Sequence, residues 1–248
     1  MALDLNEIIV PYKDFRTDKT PRYTDQMPLL IAEGRIPLSV AGVLERRLHS
    51  GLQDWKDNYF FTGDAIAYHP DKKFKIILDS QLLREINLKS RLTLDHALSL
   101  EDGMYDNFQG EEFEYKYVKE LIGKDLTQAD VLQHPIWKAV ARNKALLKEY
   151  VPEMFKEMKD SFNYNQNMGV YLDSFDYSPK LRALVVDWLE SGSRLGGRDY
   201  LDYGVGRLVG VAPEALSAHG KVLVKPSLET ALNVVNEHLG KGLILRKK

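Results

Sequence analysis

The sequence predicts an α+β protein of one compact domain, on three observations. Strand-like runs cluster before residue 90 and again after residue 166. Helical periodicity dominates residues 91–165 between them, and no strict strand–helix alternation links the two ends. The expected architecture is a central helical lobe over about residues 91–165, packed beside a β-rich C-terminal lobe at 166–248 with a late helix. An N-terminal extended arm, a helix and a β-hairpin fill residues 1–90.

The elements follow in order. Glu7-Ile8-Ile9-Val10 is a short apolar run ended by Pro11. From Pro11 to Asp25 the chain has no clean period and two prolines, Pro11 and Pro21, which predicts an extended arm. Pro37 to Leu48 reads as a helix, with Val40, Val43, Leu44 and Leu48 as its apolar stripe and Gly51 after its end. Asp64–Tyr68 and Phe74–Leu78 alternate like strands around the turn His69-Pro70-Asp71-Lys72-Lys73, a β-hairpin.

In the middle third, Phe113, Tyr117, Val118 and Leu121 predict a helix over Glu112–Ile122 that stops at Gly123. Thr127 to Asp130 has the form of a capping box, and Pro135 opens a helix through Ile136, Trp137, Val140, Leu147 and Val151. Pro152 is expected to begin a fresh segment. Strands are then expected at Gly169–Leu172, Leu181–Leu189, Arg207–Val211 and Val222–Val224. A helix capped by Ser227 runs to Gly240, and Gly242–Leu245 returns as a last strand.

Composition removes several functional classes. The 248 residues contain no cysteine, which excludes disulfide scaffolds, thiol nucleophiles, iron–sulfur clusters and thiolate zinc. With 44% hydrophobic and 28% charged residues the chain has the makeup of an ordinary globular domain. The first residues carry acids and no long apolar run, unlike a signal peptide, and no window is apolar enough to span a bilayer. A cytoplasmic protein without a membrane partner is the expectation. A net charge of −2 argues against a general nucleic-acid binder.

Four constellations could carry chemistry. The first is Ser191-Gly192-Ser193-Arg194-Leu195-Gly196-Gly197-Arg198-Asp199-Tyr200. Glycines let backbone N–H groups converge on an anion, while Ser191, Ser193, Arg194 and Arg198 add donors and charge for a small phosphate-bearing ligand. No Gly-Lys-Ser/Thr follows, so it is not a P-loop, and the alternative is a plain connector between strands. The second is Asp106 with Glu114 and Lys116, which on a strand would suit a metal-dependent phosphoryl-transfer enzyme or nuclease.

Asp95, His96, Asp102 and Asp106 could serve as ligands to a loosely held Mg²⁺ or Ca²⁺, the single cofactor the sequence suggests. The third is His134, placed before Pro135 at a helix N-terminus, where a neutral imidazole could act as a base. The fourth is the arm at residues 11–25. Its bases Lys13, Arg16, Lys19 and Arg22 are interleaved with aromatics but nearly cancelled by Asp14, Asp18 and Asp25. That balance suits a contact between copies in a homo-oligomer better than nucleic acid. The leading expectation is an intracellular binding or assembly protein with an anionic ligand at the Gly/Arg loop; the alternative is the metal-dependent enzyme.

Overall fold

The computed structural model describes residues 12–175, 178–204 and 206–213. The apolar run at Glu7–Val10 and the strands and helix expected beyond residue 213 lie outside the described residues. Chain order begins with strand β1 (Tyr12–Asp14), helix α1 (Tyr23–Ala32), β2 (Ile36–Pro37), α2 (Val40–His49), α3 (Asp54–Asp57) and the hairpin β3 (Phe60–His69) and β4 (Lys73–Ile77). It continues through α4 (Gln81–Arg84), β5 (Leu98–Ser99), α5 (Met104–Asn107), β6 (Glu111–Glu114) and α6 (Tyr115–Val118). Then come α7 (Gln128–Gln133), α8 (Pro135–Ala141), α9 (Lys144–Phe162), β7 (Val170–Leu172), β8 (Lys180–Val186), β9 (Leu195–Gly197) and β10 (Arg207–Val211).

The fold is α+β, but the strands do not divide into an N-terminal hairpin and a separate C-terminal lobe. They form one mixed sheet in the order β1-β10-β3-β8-β9-β7, with β2 added to β10, β4 to β3, β6 to β4 and β5 to β8. The reason is burial. Every residue of β8 is buried, as is all of β3 but its last residue, so both strands need cover on both faces and must lie mid-sheet. They pair antiparallel, Ala65 opposite Ala183 and Ala67 opposite Leu181, while β10 joins β3 in parallel.

One face of this pair carries Phe61, Ala65, Ala67, Leu181, Ala183 and Val185 against Tyr23, Met27 and Leu30 of α1 and Leu83 of α4. Helix α2 packs on β3 and β8, and α8 packs on β4. The long helix α9 backs α2, α7 and α8 in turn.

The hairpin forms in the expected place, His69 opposite Lys73. Thr127 and Asp130 complete the capping box of α7, whereas the helix expected from Pro37 starts at Val40 behind the cap Ser39, because Pro37 lies in β2. Other expectations are corrected. Glu112–Ile122 is not one helix: its first residues extend β4's edge as β6, where Phe113 stacks on Phe74 at 5.2 Å, before α6 begins. Pro152 lies inside α9, because the buried row Leu147, Tyr150, Val151, Met154, Phe155 and Met158 outweighs one missing N–H.

The arm is not extended throughout, since α1 starts at Tyr23 and tolerates Pro28. Its described residues make contacts within their own chain. Tyr12–Asp14 pairs with β10, Phe15 is buried, and Lys13, Arg22 and Asp14 form ion pairs with Glu33, Asp25 and Arg207.

Asp64 of β3 links the sheet to its helical cover. Fully buried, it accepts hydrogen bonds from the Val40 N–H at the start of α2 (2.8 Å) and the Asp79 N–H (3.0 Å), and it pairs with Arg142 after α8. Asp64→Ala strands the Val40 and Asp79 N–H groups and leaves Arg142 paired with Asp79 alone. Urea denaturation should show a loss of about 2–4 kcal/mol, the usual cost of leaving two buried N–H groups without an acceptor. A loss below 1 kcal/mol, of the size expected of an exposed pair, would contradict this role.

Candidate functional site

Where β8 ends and β9 runs out, the chain forms a cleft of about 420 Å³. Tyr59 and Phe61 line it from the start of β3, Asp187 and Trp188 from the end of β8. Arg198, Asp199, Tyr200, Tyr203 and Gly204 follow β9. Tyr200 and Tyr203 are 43% and 74% exposed, so two aromatic rings stand at its rim.

The floor is fixed by two buried arginines. Arg47 of α2 donates through Nη2 to the carbonyls of Asp187 (2.6 Å) and Asn58 (3.0 Å), through Nε to that of Trp55 (2.7 Å), and through Nη1 to Ser193 Oγ (2.9 Å). It therefore sets both the strand end that bears Asp187 and the turn that precedes Tyr59. Arg182 of β8 donates to the Asp199 carbonyl (3.0 Å), the Asp95 carbonyl (2.8 Å) and the carboxylates of Asp95 (2.7 Å) and Asp173 (2.6 Å). Lys180 joins the same two carboxylates at 2.6 and 2.8 Å.

The loop after β9 is pinned at its middle. Leu201 is fully buried, its N–H donates to the His96 carbonyl (3.1 Å), and its carbonyl accepts from the Thr24 N–H (3.0 Å). Tyr200 packs on the His96 ring at 4.7 Å, and His96 Nδ1 lies 2.7 Å from Asp202. Gly196 is required beneath Asp199: a Cβ there would lie 2.7 Å from the Asp199 Oδ2 and 2.6 Å from Val185 Cγ2.

The two cleft carboxylates are poorly compensated. Burial, with the nearby Asp199 charge, pushes Asp187 up to about 6 against the opposing pull of Arg194, Arg47 and Arg198. Burial also raises Asp199, although Tyr59, Arg198 and Arg182 act to lower it. Burial raises the Tyr59 hydroxyl far above its ordinary value, with Asp199 adding to the shift. Among the described residues neither carboxylate sits in an ion pair.

The residues singled out from sequence are distributed as follows. Ser193 does not face a ligand: it is buried, and its hydroxyl meets Arg47 and the Tyr150 hydroxyl (2.9 Å). Arg194 is held by both oxygens of Asp125 at 2.8 and 2.7 Å. Ser191 ends a 3₁₀ turn, half-buried. Arg198 alone of the four lines the cleft, with its guanidinium 5.1 Å from the Tyr171 ring that Arg194 also covers at 5.2 Å.

Glu114 closes β6, while Lys116 is already in α6. Their 2.6 Å pair is local and exposed, so the shared strand face expected of them does not form. Asp102 and Asp106 are exposed, Asp95 belongs to the Lys180–Arg182 cluster, and His96 faces Asp202. Among the described residues no three His, Asp or Glu side chains gather to hold a metal. His134 is buried with Nε2 3.3 Å from the Leu121 carbonyl, and burial brings it down to about 4. It is thus a neutral packing residue at the start of α8. Sequence reading missed Tyr59, Asp187, Trp188 and Tyr203, and it included Asp199 and Tyr200 in the Gly/Arg constellation without giving them a role; the available signal was the tyrosines at the end of that loop.

Comparison with protein-family models and with curated proteins finds no match. A solved structure does match, one described as the accommodation of massive sequence variation in Nanoarchaeota by the C-type lectin fold. The TM-score is 0.61 at 15% identity, over 81% of this chain and 97% of that one. At that identity the likeness concerns the fold, and the described body has the C-type lectin fold.

The raised Asp187 makes a stability prediction. Its ionised form is disfavoured in the folded state, so its contribution is fully present below the ordinary value of 3.8 and is lost as pH rises through about 6. Asp187→Asn should therefore stabilise the protein by about 1 kcal/mol at pH 8, discounted for partial solvent exposure, and do little at pH 3.5. Thermal melts at the two pH values check it, and equal effects at both would refute the shift.

Proposed function

We propose that this chain is a recognition module, a non-enzymatic binding protein on a C-type lectin fold, and that the cleft at Asp187–Tyr203 is its binding surface. The observation that carries this reading is the rim itself. Tyr200, Tyr203, Trp188 and Arg198 are the residue types that dominate binding energy at recognition surfaces, because they bring large contact area with few rotatable bonds. They hang from a floor of buried arginines, so the exposed side chains can contact a partner while the backbone that carries them stays set. The matched structure is described as a scaffold that accommodates massive sequence variation, which is consistent with loops separable from a core in this way. The anionic ligand suggested by the Gly/Arg loop has less support, since Ser193 and Arg194 already have internal partners.

Peptide and glycan arrays probed with the labelled protein provide the test. The expected result is a set of bound features lost by at least tenfold in Tyr200→Ala/Tyr203→Ala, with the folded-state circular dichroism spectrum retained. Features retained in full by that double variant would place binding elsewhere and overturn the proposal.

A further inference from the structure

The chemistry of the same cleft names its ligand class. Resting on the binding reading above, we infer that the cleft takes a cation, an ammonium or guanidinium group, seated between its aromatic rings and the carboxylates of Asp187 and Asp199.

Three observations converge on this. First, carboxylates withdrawn from water are normally paired, and Asp95 and Asp173 in this protein are, through Lys180 and Arg182. Asp187 and Asp199 line the cleft without an ion pair among the described residues, although four arginines lie near enough to act on them. Second, the remaining wall is aromatic. Tyr59, Trp188, Tyr200 and Tyr203 line it, and aromatic rings attract cations through their π electrons. Third, the protein already uses this chemistry on itself. The guanidinium groups of Arg182 and Arg198 lie 5.7 and 5.1 Å from the Tyr200 and Tyr171 rings.

Arg198 is the group that argues the other way, since it is the cation an anionic ligand would need. Held over Tyr171, it is the one arginine among the lining residues, against two carboxylates; Arg47, Arg182 and Arg194 act on them from outside the lining and are each bonded to other partners. Its removal therefore has opposite effects on the two classes of ligand, and this separates them.

The test titrates the full chain with three uncharged-backbone probes at constant ionic strength: N-acetyl-arginine amide, N-acetyl-glutamate amide and N-acetyl-glutamine amide. The ligand-induced change in fluorescence reports on Trp188, the tryptophan that lines the cleft. The arginine probe should bind at least tenfold more tightly than the other two. Asp187→Asn/Asp199→Asn should weaken it by about tenfold or more, as expected for lost charge-assisted hydrogen bonds. Arg198→Ala should tighten it about threefold, in keeping with one unpaired like charge removed. Preference for the glutamate probe, with binding weakened by Arg198→Ala, would overturn the cation assignment yet leave the cleft as the binding surface. A response to none of the three would overturn the assignment too, while array features lost in Tyr200→Ala/Tyr203→Ala would still stand for the binding reading itself.

Discussion

The Arg182 guanidinium is the point on which the loops of this protein converge. It lies on a mid-sheet strand, 1% exposed, and its planar fork reaches the Asp173 carboxylate after β7, the Asp95 carboxylate and carbonyl before β5, and the Asp199 carbonyl after β9. Three segments far apart in sequence meet on one side chain. Removing a charge from water is costly, and the site is tenable because Lys180 supplies a second cation and both carboxylates are shared. Burial opposes ionisation of Asp95, but hydrogen bonds from Lys180 and Thr93 and the Arg182 charge hold it well below the ordinary carboxylate range.

The cleft uses the same ingredients with the opposite balance. Asp187 and Asp199 follow the ends of β8 and β9 without an ion-pair partner among the described residues, and both are raised rather than lowered. Such uncompensated charge is destabilising to the fold and is characteristic of sites where binding completes the arrangement. Arg47 and Arg182 hold the backbone at Asp187 and Asp199 rather than their side chains, so the positions of the acids are set without neutralising them. The tyrosines at the rim then rest on Leu201, whose burial and two backbone hydrogen bonds make it the anchor of that loop.

Much of the local structure was legible in the sequence. The β3–β4 hairpin, the Thr127–Asp130 capping box, and the strands β8 and β10 follow from alternation and from cap residues whose physics is local. What the sequence concealed was long-range. Nothing near Lys180 and Arg182 signals that they are buried, because their partners Asp95 and Asp173 come from other loops. The Gly/Arg loop drew attention for its donors, yet Arg194 is paired by Asp125, some 70 residues away, and Ser193 by Arg47 and Tyr150. Gly196 mattered for a different reason: it makes room for Asp199. The division into lobes failed likewise, since pairing β3 with both β8 and β10 is a decision of the tertiary fold. The cleft itself is assembled from three separate segments, of which Arg198 to Tyr203 alone is continuous enough to notice.

Native-state hydrogen exchange on Arg182→Lys tests the central claim most directly, because lysine keeps the charge and loses the fork. If Arg182 gathers the loops, the amides of Leu201, Thr93 and Ala97, which bond across and within them, should lose protection together by about tenfold or more, the signature of a shared local opening. The amides of α9 and of the β3–β4 hairpin should be unchanged. Unaltered protection at Leu201, or an equal loss in α9, would contradict the account.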